Sequence, residues 1–282
     1  MMNKDSHLRE VFYSNKYWIL FTYLLLLVEF SLFAVFPYIE GKTIDSLLKN
    51  NYQWFYVFIT TSILTAVVGT TRRRVDTRVF QKVWSKKSLE TINRLKNRNI
   101  SNSVILSRIR WISTYGDFFE YTMPTAIRCV IEIIVSTIMI VSFLNWMSSL
   151  IIVLAFVGLA TSYLISFHVQ TKKREYQETR EQTDVDINND IYSNLELSYD
   201  KMRKIQIRIS DLEAFAWRWF ECLHIVGSII TMMTIVKLHP TVGGILSAMI
   251  YTNKLFDNAM MMTTYFWHLK EIQMVDQMLE KN

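Results

Sequence analysis

Six stretches of the chain, 17–36, 54–71, 126–145, 150–167, 220–236 and 242–269, are long and apolar enough to cross a bilayer. About 18 to 20 apolar residues at helical rise match the ~30 Å hydrocarbon thickness. Runs such as Leu24-Leu25-Leu26-Leu27-Val28 and 151–157 are solidly apolar. They lack the 3.6- or 2-residue period with which a soluble chain buries one face. Hydrophobic residues make up 51% of the sequence, Gly and Pro number only 7 and 3, and the 20% of charged residues fall mainly between the spans. The pattern predicts a single all-α, polytopic membrane domain over 1–282, with the lipid bilayer as its first partner.

Lys and Arg set the orientation. Arg72, Arg73, Arg74, Arg78, Lys82, Lys86, Lys87, Arg94, Lys96, Arg98, Arg108 and Arg110 follow the second span, and Lys172, Lys173, Arg174, Arg180, Lys201, Arg203, Lys204 and Arg208 follow the fourth. The opposite side has only Lys42, Lys49 and Lys237. Positive residues near span ends stay inside, so both long segments and both termini are predicted to be cytoplasmic. The net charge of +6 is then a topology signal, and without a binding motif it gives no support to a nucleic-acid partner.

The first span follows a mixed-charge start and ends at Phe36-Pro37-Tyr38 without a small-residue cleavage site, so it is expected to be retained. Cys129 and Cys222 lie in or beside spans and are too few for a disulfide framework or a metal site. The connections around 145–148 and 237–241 read as tight outer turns. The inner connections, 72–123 and 168–219, run to about fifty residues each with Gly116 as their one breaker. Their helix-forming composition predicts that spans two to five continue as helices beyond the membrane; one from 54 to 96 would be ~65 Å long. Pro37, Pro124 and Pro240 are expected to mark helix boundaries.

Six helices with two long cytoplasmic helical extensions resemble the transmembrane domain of a type IV ABC exporter. Local segments carry the likeness: Glu29 followed by Pro37, Gly41, Ile44, Asp45 and Leu47; Arg73-Arg74-Val75-Asp76-Thr77-Arg78-Val79-Phe80; Asp117-Phe118-Phe119-Glu120 with Pro124; Ile209-Ser210-Asp211-Leu212-Glu213-Ala214; and Pro240-Thr241-Val242-Gly243-Gly244-Ile245. They occur in the order and spacing of that domain, and the subgroup without a fused ATPase is the most similar. The sequence has no P-loop, which needs two glycines five apart before Lys and Ser or Thr. Gly41-Lys42-Thr43 imitates only its tail. The chain is therefore expected to bind no cofactor and catalyse no reaction itself, with ATP held by a partner subunit.

The resemblance implies coupling helices at the tips of the two extensions that dock an ATPase. Their equivalents are 97–108, with Arg98, Ser101, Asn102 and Ser103, and 191–203, with Asn194 and Glu196. Ser103 stands where a Gly is usual and Ile112 where an acidic residue is usual.

Ionisable residues inside spans face the bundle interior or a watery path. Glu29 in span one, Arg128 and Glu132 in span three, and Lys254 and Asp257 in span six are candidates for that role. Glu29, Lys254 and Asp257 read as mid-membrane, with Lys254 and Asp257 three apart and able to pair. Glu221 and His224 are a further near pair in span five. Such groups either tie helices together or line a pathway, and the sequence leaves both open. Met232-Met233 and Met260-Met261-Met262 point around their helices and read as packing residues rather than metal ligands. No histidine or cysteine set has the spacing of a catalytic group.

The resemblance implies a homo- or heterodimer of such domains in a bacterial inner membrane, with a separate ATPase supplying the energy. Proton-driven transport through Glu29 or Asp257 and a non-transporting scaffold are the alternatives. Substrate and direction are not encoded in any motif.

Overall fold

A computed structural model describes residues 16–96, 118–188, 195–238 and 241–280, and these are helical with no strand. Six α-helices occur among them: α1 Lys16–Leu47, α2 Gln53–Lys96, α3 Met123–Leu144, α4 Ser148–Asn188, α5 Leu195–Leu238 and α6 Val242–Glu280. A π-helical turn, Phe118–Thr122, leads into α3, and a 3-10 turn, Asn145–Met147, joins α3 to α4. The expected tight turn at 145–148 is thus present; Asn145 takes a positive φ of 51° there, with ψ −130°. Asn50, at φ 56°, does the same between α1 and α2, and the Asn51 side chain accepts from the Gln53 N–H to start α2.

The long helices expected to continue from spans two, four and five are present as well, and the stretch 97–117 that leads into span three lies outside the described residues. α2, α4 and α5 have 44, 41 and 44 residues, which at helical rise is ~60 to 66 Å, about twice the hydrocarbon thickness. Beyond the apolar stretch, α4 and α5 stay together through a seam of Val169, Ile205 and Ile209 with Tyr176 and Leu212, tied by the Lys173–Glu213 ion pair at 2.9 Å.

The structure corrects one expectation. Pro37 does not end a helix: α1 passes through it and continues to Leu47. The sixth expected span is present as a helix, α6, and is more polar than a span recognised by composition alone. Four helical stretches among the described residues are apolar enough to cross a membrane: Leu20–Leu47, Gln53–Lys86, Phe118–Arg180, which holds both α3 and α4, and Leu195–Leu238. The stretch 242–269 is not among them. Its position explains this, because α6 packs against α1, α3, α4 and α5 at the centre of the bundle. Asn253, Lys254 and Asn258 there meet protein partners rather than lipid.

The core follows from that centrality. Tyr251, Leu255, Phe256 and Ala259 of α6 pack with Ile140 and Leu144 of α3, Ile151 and Ala155 of α4, and Phe220, Leu223 and Ile235 of α5. Small residues set the spacing: a Cβ on Gly227 would lie 2.6 Å from the Phe256 ring, and one on Gly158 would lie 2.8 Å from that of Phe220. α2 is the opposite case. Phe55, Tyr56, Ile59, Ile63, Leu64 and Val67 leave its apolar face exposed, as suits a helix against lipid.

Candidate functional site: a seam and a band of charge across four helices

The seam between α1 and α6 grows out of Pro37. A proline has no N–H, so the carbonyl four residues earlier, that of Phe33, loses its helical donor. In hydrocarbon a free carbonyl costs several kcal/mol, and here α6 supplies the replacement. Lys254 Nζ donates to the Phe33 carbonyl at 3.0 Å, Ser247 Oγ donates to the Pro37 carbonyl at 2.8 Å, and the Tyr251 hydroxyl accepts from the Tyr38 N–H at 3.2 Å. Residues 247, 251 and 254 repeat at helical spacing, so one face of α6 repairs the break in α1.

Further along, Gly41 and Gly243 let the two backbones touch. A Cβ on Gly41 would lie 2.4 Å from the Gly243 carbonyl oxygen, and one on Gly243 would lie 1.9 Å from that of Gly41. The Asp45 carboxylate accepts from the Gly243 N–H at 2.8 Å, a carboxylate placed at the positive end of α6. The segments around Pro37-Gly41-Asp45 and Thr241-Gly243, two hundred residues apart, are thus two sides of one contact.

Below the seam runs the band of charge. Arg72 of α2 pairs with Glu29 of α1 and with Asp76 one turn on, and Glu29 is 7% and Asp76 0% exposed. Gly69 makes room for this, since a Cβ there would lie 2.7 Å from Glu29 Oε1. Glu120, in the π-helical turn, is also buried and accepts from Thr77 Oγ1 at 3.2 Å and Gln81 Nε2 at 3.5 Å. On the other side Glu132 of α3 accepts from Arg128 Nε at 2.9 Å and from Asn258 Nδ2 at 2.8 Å, with Lys254 Nζ 3.6 Å away. The Phe30 ring joins the two halves: the Arg72 guanidinium lies 5.4 Å and that of Arg128 5.8 Å from its centroid. Four elements, α1, α2, α3 and α6, are therefore linked through alternating charges and one aromatic ring.

The sequence-derived candidates separate into three groups. Glu29, Arg128, Glu132 and Lys254 belong to the band. Asp257 does not: Lys254 turns to Glu132 and to the Phe33 carbonyl, and Asp257 lies on the exposed face of α6. Their separation puts them on neighbouring faces, and the packing of α3 decides which face Lys254 uses. Likewise Glu221 pairs with Arg218 at 3.1 Å, whereas His224 bonds Asn253 at 3.0 Å and stacks on Phe256. Arg98, Ser101, Asn102, Ser103 and Asn194 lie outside the described residues, and Glu196 falls in the first turn of α5.

Sequence reasoning missed Arg72, Asp76, Glu120, Phe30 and Asn258 as members of the band. The spacing of Arg72 and Asp76 was a signal, since an i, i+4 pair shares a helix face; within a basic segment it read as topology alone.

These features define a multi-pass membrane bundle whose central helix is held by polar contacts to its neighbours. Residues 8–245 match the family described as ABC transporter transmembrane region, and the chain belongs to that family. No curated protein matches it in sequence.

Proposed function

We propose that the chain is the membrane subunit of an ABC-type exporter, forming the translocation pathway as a dimer and driven by a separate ATPase. The observation that carries this reading is the length of α2, α4 and α5, ~30 Å more than the hydrocarbon thickness, in a chain of this family. Extensions of that reach are of use to a transporter when something beyond the membrane pulls on them. The tips at 97–108 and 191–203 are the proposed docking points, with Glu196 at the start of α5. Lys and Arg placement supports cytoplasmic extensions and termini in an inner membrane.

The exposed face of α6 supports a pathway role. Asn253 and Asp257 stand on it one turn apart, at ~16 to 23 Å from the start of the helix. A carboxylate at that depth is far cheaper to keep against water than against lipid. In a dimer this face would border the shared cavity, and movement of α1 against α6 would open it to one side or the other.

Purification in mild detergent at native expression tests the reading. An ATPase with a P-loop should copurify in stoichiometric amount, and the pair should move substrate in liposomes only with ATP. Isolation of the chain without any ATPase would remove the proposal.

A further inference from the structure

Asp76 is wholly buried, and its two oxygens are treated unequally. Oδ2 meets Arg72; Oδ1 has no hydrogen-bond partner. A buried carboxylate oxygen left so is costly when ionised. The surroundings add to the cost. Facing Asp76 are Tyr23 and Glu29 from α1, Arg72 and Arg73 from its own helix, and Glu120 from the π-helical turn. Glu29 and Asp76 thus share the Arg72 guanidinium, Glu120 is held by Thr77 and Gln81 without an ion pair among the described residues, and Arg73 is exposed and stacked on Tyr121 at 4.6 Å. Arg128 and Lys254 lie beyond the Phe30 ring and are engaged by Glu132. Among the described residues the cluster of Glu29, Asp76 and Glu120 with Arg72 and Arg73 is one positive charge short.

We propose that Asp76 is a proton-binding site, carrying a proton on Oδ1 in this conformation and thereby governing the contact of α1 with α2. Uptake forms one O–H bond from a solvent proton and changes nothing else covalently. With Asp76 neutral, Arg72 serves Glu29 alone and the two helices are clasped. With Asp76 ionised, it competes with Glu29 for the same guanidinium, next to the Glu120 charge, and the clasp weakens. A metal ion is the weaker solution, because no three His, Cys, Asp or Glu side chains among the described residues are arranged to hold one.

The test uses the full chain in detergent micelles, with whatever subunits copurify. Because the folded state binds the proton more tightly than the unfolded chain, stability should rise as pH falls from about 6 toward 4, by up to about tenfold in the unfolding constant per pH unit. Asp76→Asn, a neutral isostere, should fold, lose that pH dependence, and lose the protonated-carboxyl band that the infrared spectrum of the parent shows at about pH 5. Glu120→Gln restores the charge balance, so its transition should move to lower pH; this variant decides the matter if Asp76→Asn does not fold. An unchanged pH profile in Asp76→Asn, or an unmoved transition in Glu120→Gln, would overturn the proposal. So would a stability that depends on sodium or potassium at fixed pH and loses that dependence in Asp76→Asn, since the ligand would then be the cation.

Discussion

The partner of Lys254 can be identified by two double-mutant cycles that share one member. Glu132 has a side chain only 4% exposed and takes hydrogen bonds from Arg128 and Asn258 with Lys254 alongside; the Lys254 side chain is 22% exposed. Glu132→Gln removes the charge and leaves the ammonium with the Phe33 carbonyl alone. Breaking a buried pair on one side costs about 3 to 5 kcal/mol. The lower figure, about 3, applies here because the Arg128 side chain is 43% exposed and turns to solvent when released. Lys254→Met costs less, about 1 to 2 kcal/mol, because Glu132 keeps its other two donors while the Phe33 carbonyl loses one. In the double variant no stranded ammonium remains, so the combined loss should fall short of the sum by about 1 to 2 kcal/mol. Asp257→Asn with Lys254→Met should instead be additive within about 0.5 kcal/mol. Equilibrium unfolding in mixed micelles, followed by tryptophan fluorescence and circular dichroism, gives all the values. Additivity at Glu132 together with coupling at Asp257 would refute the arrangement.

The glycine contact gives a steric test: Gly243→Ala must displace the Gly41 carbonyl, so it should cost about 1 to 3 kcal/mol and slow transport, whereas Gly244→Ala beside it should do neither. Asp45→Ala should cost about 1 kcal/mol by uncapping α6, read as a lower midpoint in the same unfolding assay. Cysteines placed at Lys87 and Glu178 should react with membrane-impermeant reagents only from the cytoplasm, and those at Lys49 and His239 only from outside; exterior labelling at Glu178 would overturn the topology.

Much of the architecture was legible because it depends on runs and breakers. The solid apolar stretches give the helices, and the scarcity of Gly and Pro in the inner connections lets α2, α4 and α5 continue past the membrane. The pairings were not legible, because they depend on how each helix is rotated against its neighbours. Lys254 and Asp257 are within reach along one helix, yet the partner of Lys254 comes from α3. Pro37 is another case. Its local rule is to end a helix, and only Ser247, Tyr251 and Lys254, more than two hundred residues away, make its interior position tolerable. The same contacts explain why α6 is too polar to register as a span by hydropathy. A central helix whose polar groups bond to protein has no need to be apolar throughout.

Coupling of the chain to a motor is tested most directly by the hydrolysis rate of the copurified ATPase in liposomes, measured with the parent chain and with Glu196→Arg. The account predicts that the parent chain stimulates hydrolysis and that Glu196→Arg returns it to the rate of the ATPase alone, while the variant keeps the unfolding midpoint of the parent. Equal rates for parent, variant and isolated ATPase would contradict it.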